Sequence, residues 1–160
     1  MSHSDLKNTP VWKFLIKLNK TNIPYHIGGS MGLLIHGATF NRKIGSNDLD
    51  IILPYYIHPK VLLQDTDYHY NESCESKSSG NDFDYTLEIY STSDKKSFVP
   101  DESIKLDIKI DPIQSYDFID FEGETFRVSS FINILDSKLK YAKKGNKKHL
   151  NDIKYMLLKK

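Results

Sequence analysis

The seven residues Ile104–Ile110 constrain the fold of this chain more than any other segment. Apolar and polar side chains alternate along it without exception: Ile104, Leu106, Ile108 and Ile110 against Lys105, Asp107 and Lys109. Because successive side chains of a strand point to opposite faces of a sheet, this pattern predicts a strand with one apolar face. A single strand cannot bury that face, so the chain must build a sheet that helices cover on its apolar side.

The segments before the last quarter of the chain predict the other elements that such a sheet needs. Thr9-Pro10 is typical of a helix start, and the apolar residues of 11–18 recur at helical spacing. Further strands are predicted at 25–27, 48–53, 68–70 and 85–90, with a hairpin at 118–128. Short helices are predicted at 59–63 and at 31–36, the latter with Ser30 as its N-cap.

Two helices are predicted to follow the hairpin. The first begins at Ser129 or Ser130, ends at about residue 141 and turns four apolar side chains inward, those of Phe131, Ile134, Leu135 and Leu139. The second begins at about Lys147. We therefore predict an α+β fold, a mixed twisted β-sheet with helices packed on one face. It is expected to form a single domain, with the sheet core at about 23–128 and C-terminal helices at about 129–159.

Composition excludes several classes of protein. Hydrophobic residues make up 39% of the chain and charged residues 27%, as in globular proteins rather than fibrous or disordered ones. The apolar runs are too short to span a bilayer, and residues 1–5 have no signal-peptide pattern. Cys74 is the single cysteine, so an internal disulfide is excluded and a reducing compartment is favoured. We expect a cytoplasmic protein without membrane association.

The net charge of +1 conceals an uneven distribution. Residues 136–160 contain nine lysines but only Asp136 and Asp152, so this end carries a charge of +7 and the rest of the chain −6. A cationic end attracts phosphate-rich ligands. The alternative is that two solvated helices carry lysine on their outer faces, since lysine is a usual surface residue.

A short predicted strand, the sequence Gly28-Gly29-Ser30 and a predicted helix follow one another directly. Glycine allows a ligand to approach the backbone closely, and the start of a helix presents unpaired N–H groups and the positive end of the helix dipole. The Ser30 hydroxyl adds a donor for a phosphate oxygen. The pattern indicates a phosphate-binding turn, although glycines at such a turn also serve chain reversal alone.

Asp48 and Asp50 lie two residues apart on a predicted strand, so their side chains emerge on the same face. Neighbouring carboxylates repel one another unless a cation lies between them, and such oxygen ligands suit Mg²⁺. The alternative is an edge strand with a solvated polar face, against which the apolar residues 51–53 argue. Asp107 offers a third carboxylate if its strand is a neighbour, as a metal ligand or as a general base. Asp111 competes for this role, but Pro112 places it at the end of the strand.

These segments resemble the signature of the polymerase-beta-like nucleotidyltransferase superfamily. That signature combines a hydrophobic residue followed by Gly-Gly or Gly-Ser with a later Asp-x-Asp between hydrophobic residues, which here are Ile27-Gly28-Gly29-Ser30 and Asp48-Leu49-Asp50-Ile51. A third carboxylate follows in the family on a later strand, and Leu106-Asp107-Ile108 matches it. Residues 134–139 and 148–153 resemble the closing helices of the minimal and abortive-infection-toxin-like branches.

The resemblance implies a Mg²⁺-dependent transfer of a nucleoside monophosphate from an NTP to a hydroxyl, with Asp48, Asp50 and Asp107 as catalytic and metal-binding residues. One or two ions are implied, and Mn²⁺ can substitute for Mg²⁺. Nucleotide binding is implied for Gly28, Gly29, Ser30, Arg42 and Lys138, while Asp152 is implied as a structural partner of a lysine. An antibiotic, a tRNA end or a protein side chain is implied as the acceptor, and the toxin-like branch adds an antitoxin as a protein partner.

A second hypothesis remains open at this point. A non-catalytic nucleotide- or RNA-binding module that retains the fold also explains the lysine-rich C-terminal segment. The set of three carboxylates argues against it, because such a module does not need them.

Overall fold

The computed structural model describes residues 9–37, 48–71, 84–91 and 103–143, without the side chains of residues 141 and 142. Four helices lie within these ranges: α1 (Pro10–Asn19), α2 (Gly29–Ile35), α3 (Pro59–Leu63) and α4 (Phe131–Lys143). The strands are β1 (His26–Ile27), β2 (Asp48–Leu53), β3 (Tyr68–Tyr70), β4 (Tyr85–Ser91), β5 (Ile104–Ile110), β6 (Tyr116–Phe121) and β7 (Glu124–Ser129). Arg42, Asp152 and the helix predicted from about Lys147 fall outside the described residues.

The seven strands form a single mixed sheet in the order β3-β4-β5-β2-β1-β7-β6. The pairs β2–β5 and β1–β7 are parallel, and the other neighbours are antiparallel. The hairpin β6–β7 turns at Glu122 and Gly123, both of which have positive φ angles. The predicted α+β class with a mixed sheet is confirmed.

The apolar face of the sheet is buried against α1. Thr9 caps this helix by accepting a hydrogen bond from the amide of Trp12 at 3.2 Å, as its sequence predicts. Two aromatic rings of α1 make edge-to-face contacts with aromatic rings of the sheet. The ring centroids are 4.9 Å apart for Phe14 and Tyr68 and 5.7 Å apart for Trp12 and Phe126. The core also contains the alternate residues of the two central strands: Leu49, Ile51, Leu53, Leu106 and Ile108.

Two local predictions were wrong. Gly28, not Ser30, is the N-cap of α2, because the chain turns into the helix at the glycine pair and Ser30 already lies in the first turn. In α4, Leu139 is 39% exposed, whereas Lys138 is only 3% exposed. Ser130, one of the two serines predicted to cap this helix, lies directly before it and accepts a hydrogen bond from the amide of Asn133 with its hydroxyl. Among the described residues, no helix is long and apolar enough to cross a bilayer.

Candidate active site

Two carboxylates meet in the middle of the sheet. Asp50 of β2 and Asp107 of β5 are Cα partners in the parallel pairing of these strands, so they lie side by side on one face. Their sequence neighbours Leu49 and Leu106 are also Cα partners and point into the core. Asp107 is 8% exposed, which places this end of the pair out of bulk water.

Asp48 lies at the start of β2 on the same face, but it is exposed and its Cα partner is Lys105. Its negative charge still acts on Asp50. No group of three or more His, Cys, Asp or Glu side chains is close enough to hold a metal ion within the part of the chain that is described. The carboxylates are therefore arranged as a close pair with an exposed third member beside it.

The environment of Asp50 disfavours its negative charge. Burial, the charge of Asp107 and a hydrogen bond shared with that residue raise the pKa of Asp50 from 3.8 to about 7, against the opposing effect of Lys138. Near neutral pH the pair therefore still binds a proton in part of the molecules, because full ionisation of both carboxylates is disfavoured. A cation between the two carboxylates would replace that proton and remove the repulsion.

The glycine turn lies directly against this pair. The Gly28 amide donates a hydrogen bond to the backbone carbonyl of Asp50 at 3.0 Å, so this N–H joins the turn to β2. Gly29 has a φ angle of 61°, in the left-handed region that favours glycine. A Cβ atom there would overlap the Oδ2 atom of Asp50 and lie 2.9 Å from its Cγ. Glycine is therefore required at residue 29 by both its backbone conformation and its contact with the carboxylate.

Lys138 reaches the same region from α4. Its Nζ donates a hydrogen bond to the Ser30 hydroxyl at 3.4 Å. One turn before Lys138, Ile134 packs so closely on α2 that a Cβ atom at Gly32 would lie 2.9 Å from its Cδ1. The missing side chain of Gly32 thus lets α4 approach α2 and brings the lysine beside the glycine turn.

Thr86 of β4 borders the pair on its other side. It is the Cα partner of Asp107, and its hydroxyl donates a hydrogen bond to Asp107 Oδ1 at 2.7 Å. The face of the sheet therefore carries a row across three neighbouring strands: Thr86, Asp107 and Asp50.

No model of a known protein family and no curated protein matches this sequence. Similar solved structures do exist. The antibiotic-resistance factor ANT(2'')-Ia, an aminoglycoside nucleotidyltransferase, is similar in its solution structure with a TM-score of 0.57 and 17% identity, over 97% of this chain and 83% of that one. Its crystal structure in complex with adenylyl-2''-tobramycin has a TM-score of 0.57 and 14% identity, over 95% of this chain and 87% of that one. This chain has a nucleotidyltransferase fold.

Two proteins from Helicobacter pylori, one of them JHP933, are also similar, at 20% and 19% identity and with TM-scores of 0.43 and 0.42. The matched region covers 86% of this chain but 56% and 54% of those chains. This chain therefore spans about half the length of these two relatives.

On this nucleotidyltransferase fold, most of the site residues predicted from sequence come together. Gly29, Ser30, Asp50, Asp107 and Lys138 surround one region, and Asp48 lies at its exposed edge. Arg42 lies outside the described residues. The competing candidate, Asp111, follows the end of β5 and instead accepts a hydrogen bond from the Ile113 amide in the next turn.

Two residues of this site were missed by sequence reasoning. The sequence did point to Gly32, because a glycine inside a helix lowers the stability of the helix by about 1 kcal/mol relative to alanine and usually marks close packing. Nothing in the sequence pointed to Thr86, since threonine is common in strands and its partner Asp107 is more than twenty residues away in the sequence.

The residues fit a divalent cation of the Mg²⁺ type. The available donors are carboxylate oxygens, the hard ligands that Mg²⁺ prefers. Besides burial, repulsion between the paired carboxylates of Asp50 and Asp107 raises the pKa of Asp50, and positive charge placed between them would relieve that repulsion. Mg²⁺ commonly uses one or two carboxylates and completes its shell with water and substrate phosphates, which agrees with a pair of carboxylates rather than a closed cage.

Proposed function

We propose that this protein is a metal-dependent nucleotidyltransferase that transfers a nucleoside monophosphate from an NTP to a hydroxyl group and releases pyrophosphate. The observation that carries the proposal is the pairing of Asp50 with Asp107 directly against Gly29. A pair of carboxylates at a glycine turn, with a buried lysine nearby, suits a substrate that brings both phosphates and a metal ion.

Asp50 and Asp107 would hold the Mg²⁺ ion, with Asp48 as a further ligand at the exposed edge. When bound, the ion would neutralise charge on the phosphate oxygens during displacement at phosphorus. Mn²⁺ is expected to substitute, and a second ion is expected to enter with the NTP. The proposal is supported by the position of Asp48, whose charge acts on Asp50.

Gly29, Ser30 and Lys138 are proposed to bind the triphosphate. The Asp50 carboxylate fills the space where a side chain of residue 29 would lie, so the glycine turn is placed directly beside the carboxylates that are proposed to hold the ion. Lys138 is buried and donates to Ser30, so its ammonium group is held in place before a substrate binds. Gly28 contributes by fixing the turn to β2, and Arg42 is retained as a proposed phosphate ligand.

The proposed step forms one bond and breaks one. The acceptor oxygen attacks the α-phosphorus of the NTP, and the bond from that phosphorus to the oxygen of the leaving pyrophosphate breaks. The proton of the acceptor hydroxyl passes to the carboxylate of Asp107, which acts as general base. Three acceptor classes enter the experiment: antibiotics with hydroxyl groups, tRNA ends and protein side chains. The antibiotic class is supported by the similarity to ANT(2'')-Ia, whose crystal structure contains adenylyl-2''-tobramycin.

The test is transfer of label from each α-labelled NTP, with Mg²⁺ or Mn²⁺, to a panel of aminoglycosides and lincosamides, total tRNA and partner proteins. The variants are Asp50→Asn and, as a matched control, Asp120→Asn, which changes an exposed aspartate on the edge strand β6. We expect transfer by the wild type and by Asp120→Asn, and its loss in Asp50→Asn. Transfer that persists in Asp50→Asn, or no transfer to any acceptor, would contradict the proposal. In the second case, NTP binding that is indifferent to Mg²⁺ would favour a non-catalytic binding module.

A further inference from the structure

Asp107 is hydrogen-bonded to Thr86, a residue without a role in the proposed reaction. Thr86 lies opposite Asp107 in the antiparallel pairing of β4 with β5, and 2.7 Å separate its Oγ1 atom from Asp107 Oδ1. This distance is that of a well-formed O–H···O hydrogen bond. The Thr86 side chain is half-buried, so solvent competes only in part for this contact.

The hydrogen bond is directional, and this determines which way Asp107 faces. The Oδ1 atom of Asp107 accepts the hydrogen bond from Thr86 on the β4 side of the carboxylate. The same carboxyl group interacts with Asp50 on the β2 side. The hydroxyl contact on one side and the contact with Asp50 on the other together hold the carboxylate plane in one orientation.

We infer that Thr86 is a positioning residue that orients the Asp107 carboxylate toward Asp50 for binding of the divalent cation; this inference rests on the proposed function. Thr86 itself need not touch the metal or the substrate. Its effect is on a ligand, as for other groups that hydrogen-bond metal-binding carboxylates, whose loss typically weakens metal binding or activity by about 10–100-fold.

The chain offers a matched control. Thr125 of β7 also donates its hydroxyl to an aspartate on the neighbouring strand, Asp120 Oδ1, at 2.5 Å. That pair is exposed and lies in the β6–β7 hairpin at the edge of the sheet. Thr125→Val therefore removes the same kind of hydrogen bond from a strand that does not carry the carboxylate pair.

The experiment measures Mn²⁺ affinity by electron paramagnetic resonance on the full chain, with and without a non-hydrolysable ATP analogue. The variants are Thr86→Val, Thr86→Ser and Thr125→Val, and urea unfolding is measured for each. We expect Thr86→Val to weaken Mn²⁺ binding by about 10–100-fold. Thr86→Ser, which keeps the hydroxyl, is expected to lie closer to the wild type than to Thr86→Val. Thr125→Val is expected to bind Mn²⁺ as the wild type does.

Wild-type Mn²⁺ affinity in Thr86→Val would overturn the inference. Equal impairment of Thr86→Val and Thr86→Ser would also overturn it, because packing rather than the hydroxyl would then be responsible. If Thr86→Val does not fold, Thr86→Ala takes its place in the same comparison.

Asp50→Asn and Asp107→Asn separate this inference from the function on which it rests. If both lose Mn²⁺ while Thr86→Val keeps it, only the role of Thr86 is wrong. If both bind Mn²⁺ as the wild type does, the proposed metal site is wrong and the inference fails with it.

Discussion

Replacement of Gly29 by alanine tests the closest contact of the site. The added methyl group would meet two obstacles, the left-handed backbone conformation at φ 61° and the carboxylate of Asp50. The turn cannot move away freely, because the Gly28 amide is hydrogen-bonded to the backbone carbonyl of Asp50 at 3.0 Å, and the carboxylate is held beside Asp107. The substitution should therefore affect both stability and catalysis.

The magnitude follows from these two obstacles. A left-handed conformation costs an L-residue about 1–2 kcal/mol. Forcing a methyl group to within 2.9 Å of Asp50 Cγ is an overpacking, which typically costs about 1–3 kcal/mol. Together they predict a loss of about 2–5 kcal/mol, a large share of the stability of about 5–15 kcal/mol that a domain usually has.

Urea unfolding of Gly29→Ala beside Gly123→Ala measures the two effects separately. Gly123 also has a positive φ angle, 82°, but no atom lies within 4 Å of the position that its Cβ would occupy. We expect Gly123→Ala to lose about 1–2 kcal/mol and to keep full transfer activity. Gly29→Ala should lose more and should not transfer nucleotide. Equal destabilisation of the two variants, or transfer by Gly29→Ala, would refute the reasoning.

Three further substitutions give sharp expectations. Asp50→Asn removes a buried repulsion, so at pH 8 without metal its free energy of unfolding should rise on the order of 1–3 kcal/mol while transfer is lost; a lower urea midpoint would contradict this. Lys138→Met should raise the KM for NTP at least about tenfold, because it removes a buried charge that is proposed to bind the phosphates, while Lys143→Met, at an exposed lysine, should not change it. Burial lowers the pKa of His26 below 6.5, so the folded protein binds fewer protons than the unfolded chain and loses stability as the pH falls through that value. Unfolding curves between pH 5 and 7 should show a smaller loss in His26→Asn, and an unchanged loss would refute this.

The local patterns predicted the strands of the site well. Alternation along 104–110 and along the first four residues of 48–53 places Asp107 and Asp50 on the polar faces of their strands, and both strands form where expected. Their adjacency could not be derived, because the sequence does not specify which strands pair or in which register. The register Asp50–Asp107 arises from the burial of Leu49 beside Leu106 on the opposite face.

The orientation of α4 illustrates what local patterns miss. Hydrophobicity favours Leu139 as the inward residue and Lys138 as an outward one, since lysine is rarely buried. The helix instead follows Ile134, which packs against Gly32, and Lys138 one turn later is carried inward. Burial of that ammonium group is tolerable because the Ser30 hydroxyl and the carboxylate pair of Asp50 and Asp107 are nearby, and this surrounding depends on tertiary structure.

The position of β1 also has a consequence for folding. This strand of two residues pairs with β2 on one side and, through Ile27 and Val128, with β7 on the other. Contacts between such distant parts of a chain form slowly, because a long loop must close before they gain any stability. During synthesis on the ribosome, β1, which leads into the glycine turn, therefore gains its second neighbouring strand only after residue 128 has emerged. We expect the proposed nucleotide-binding site to form at that late stage, as the last part of the sheet closes.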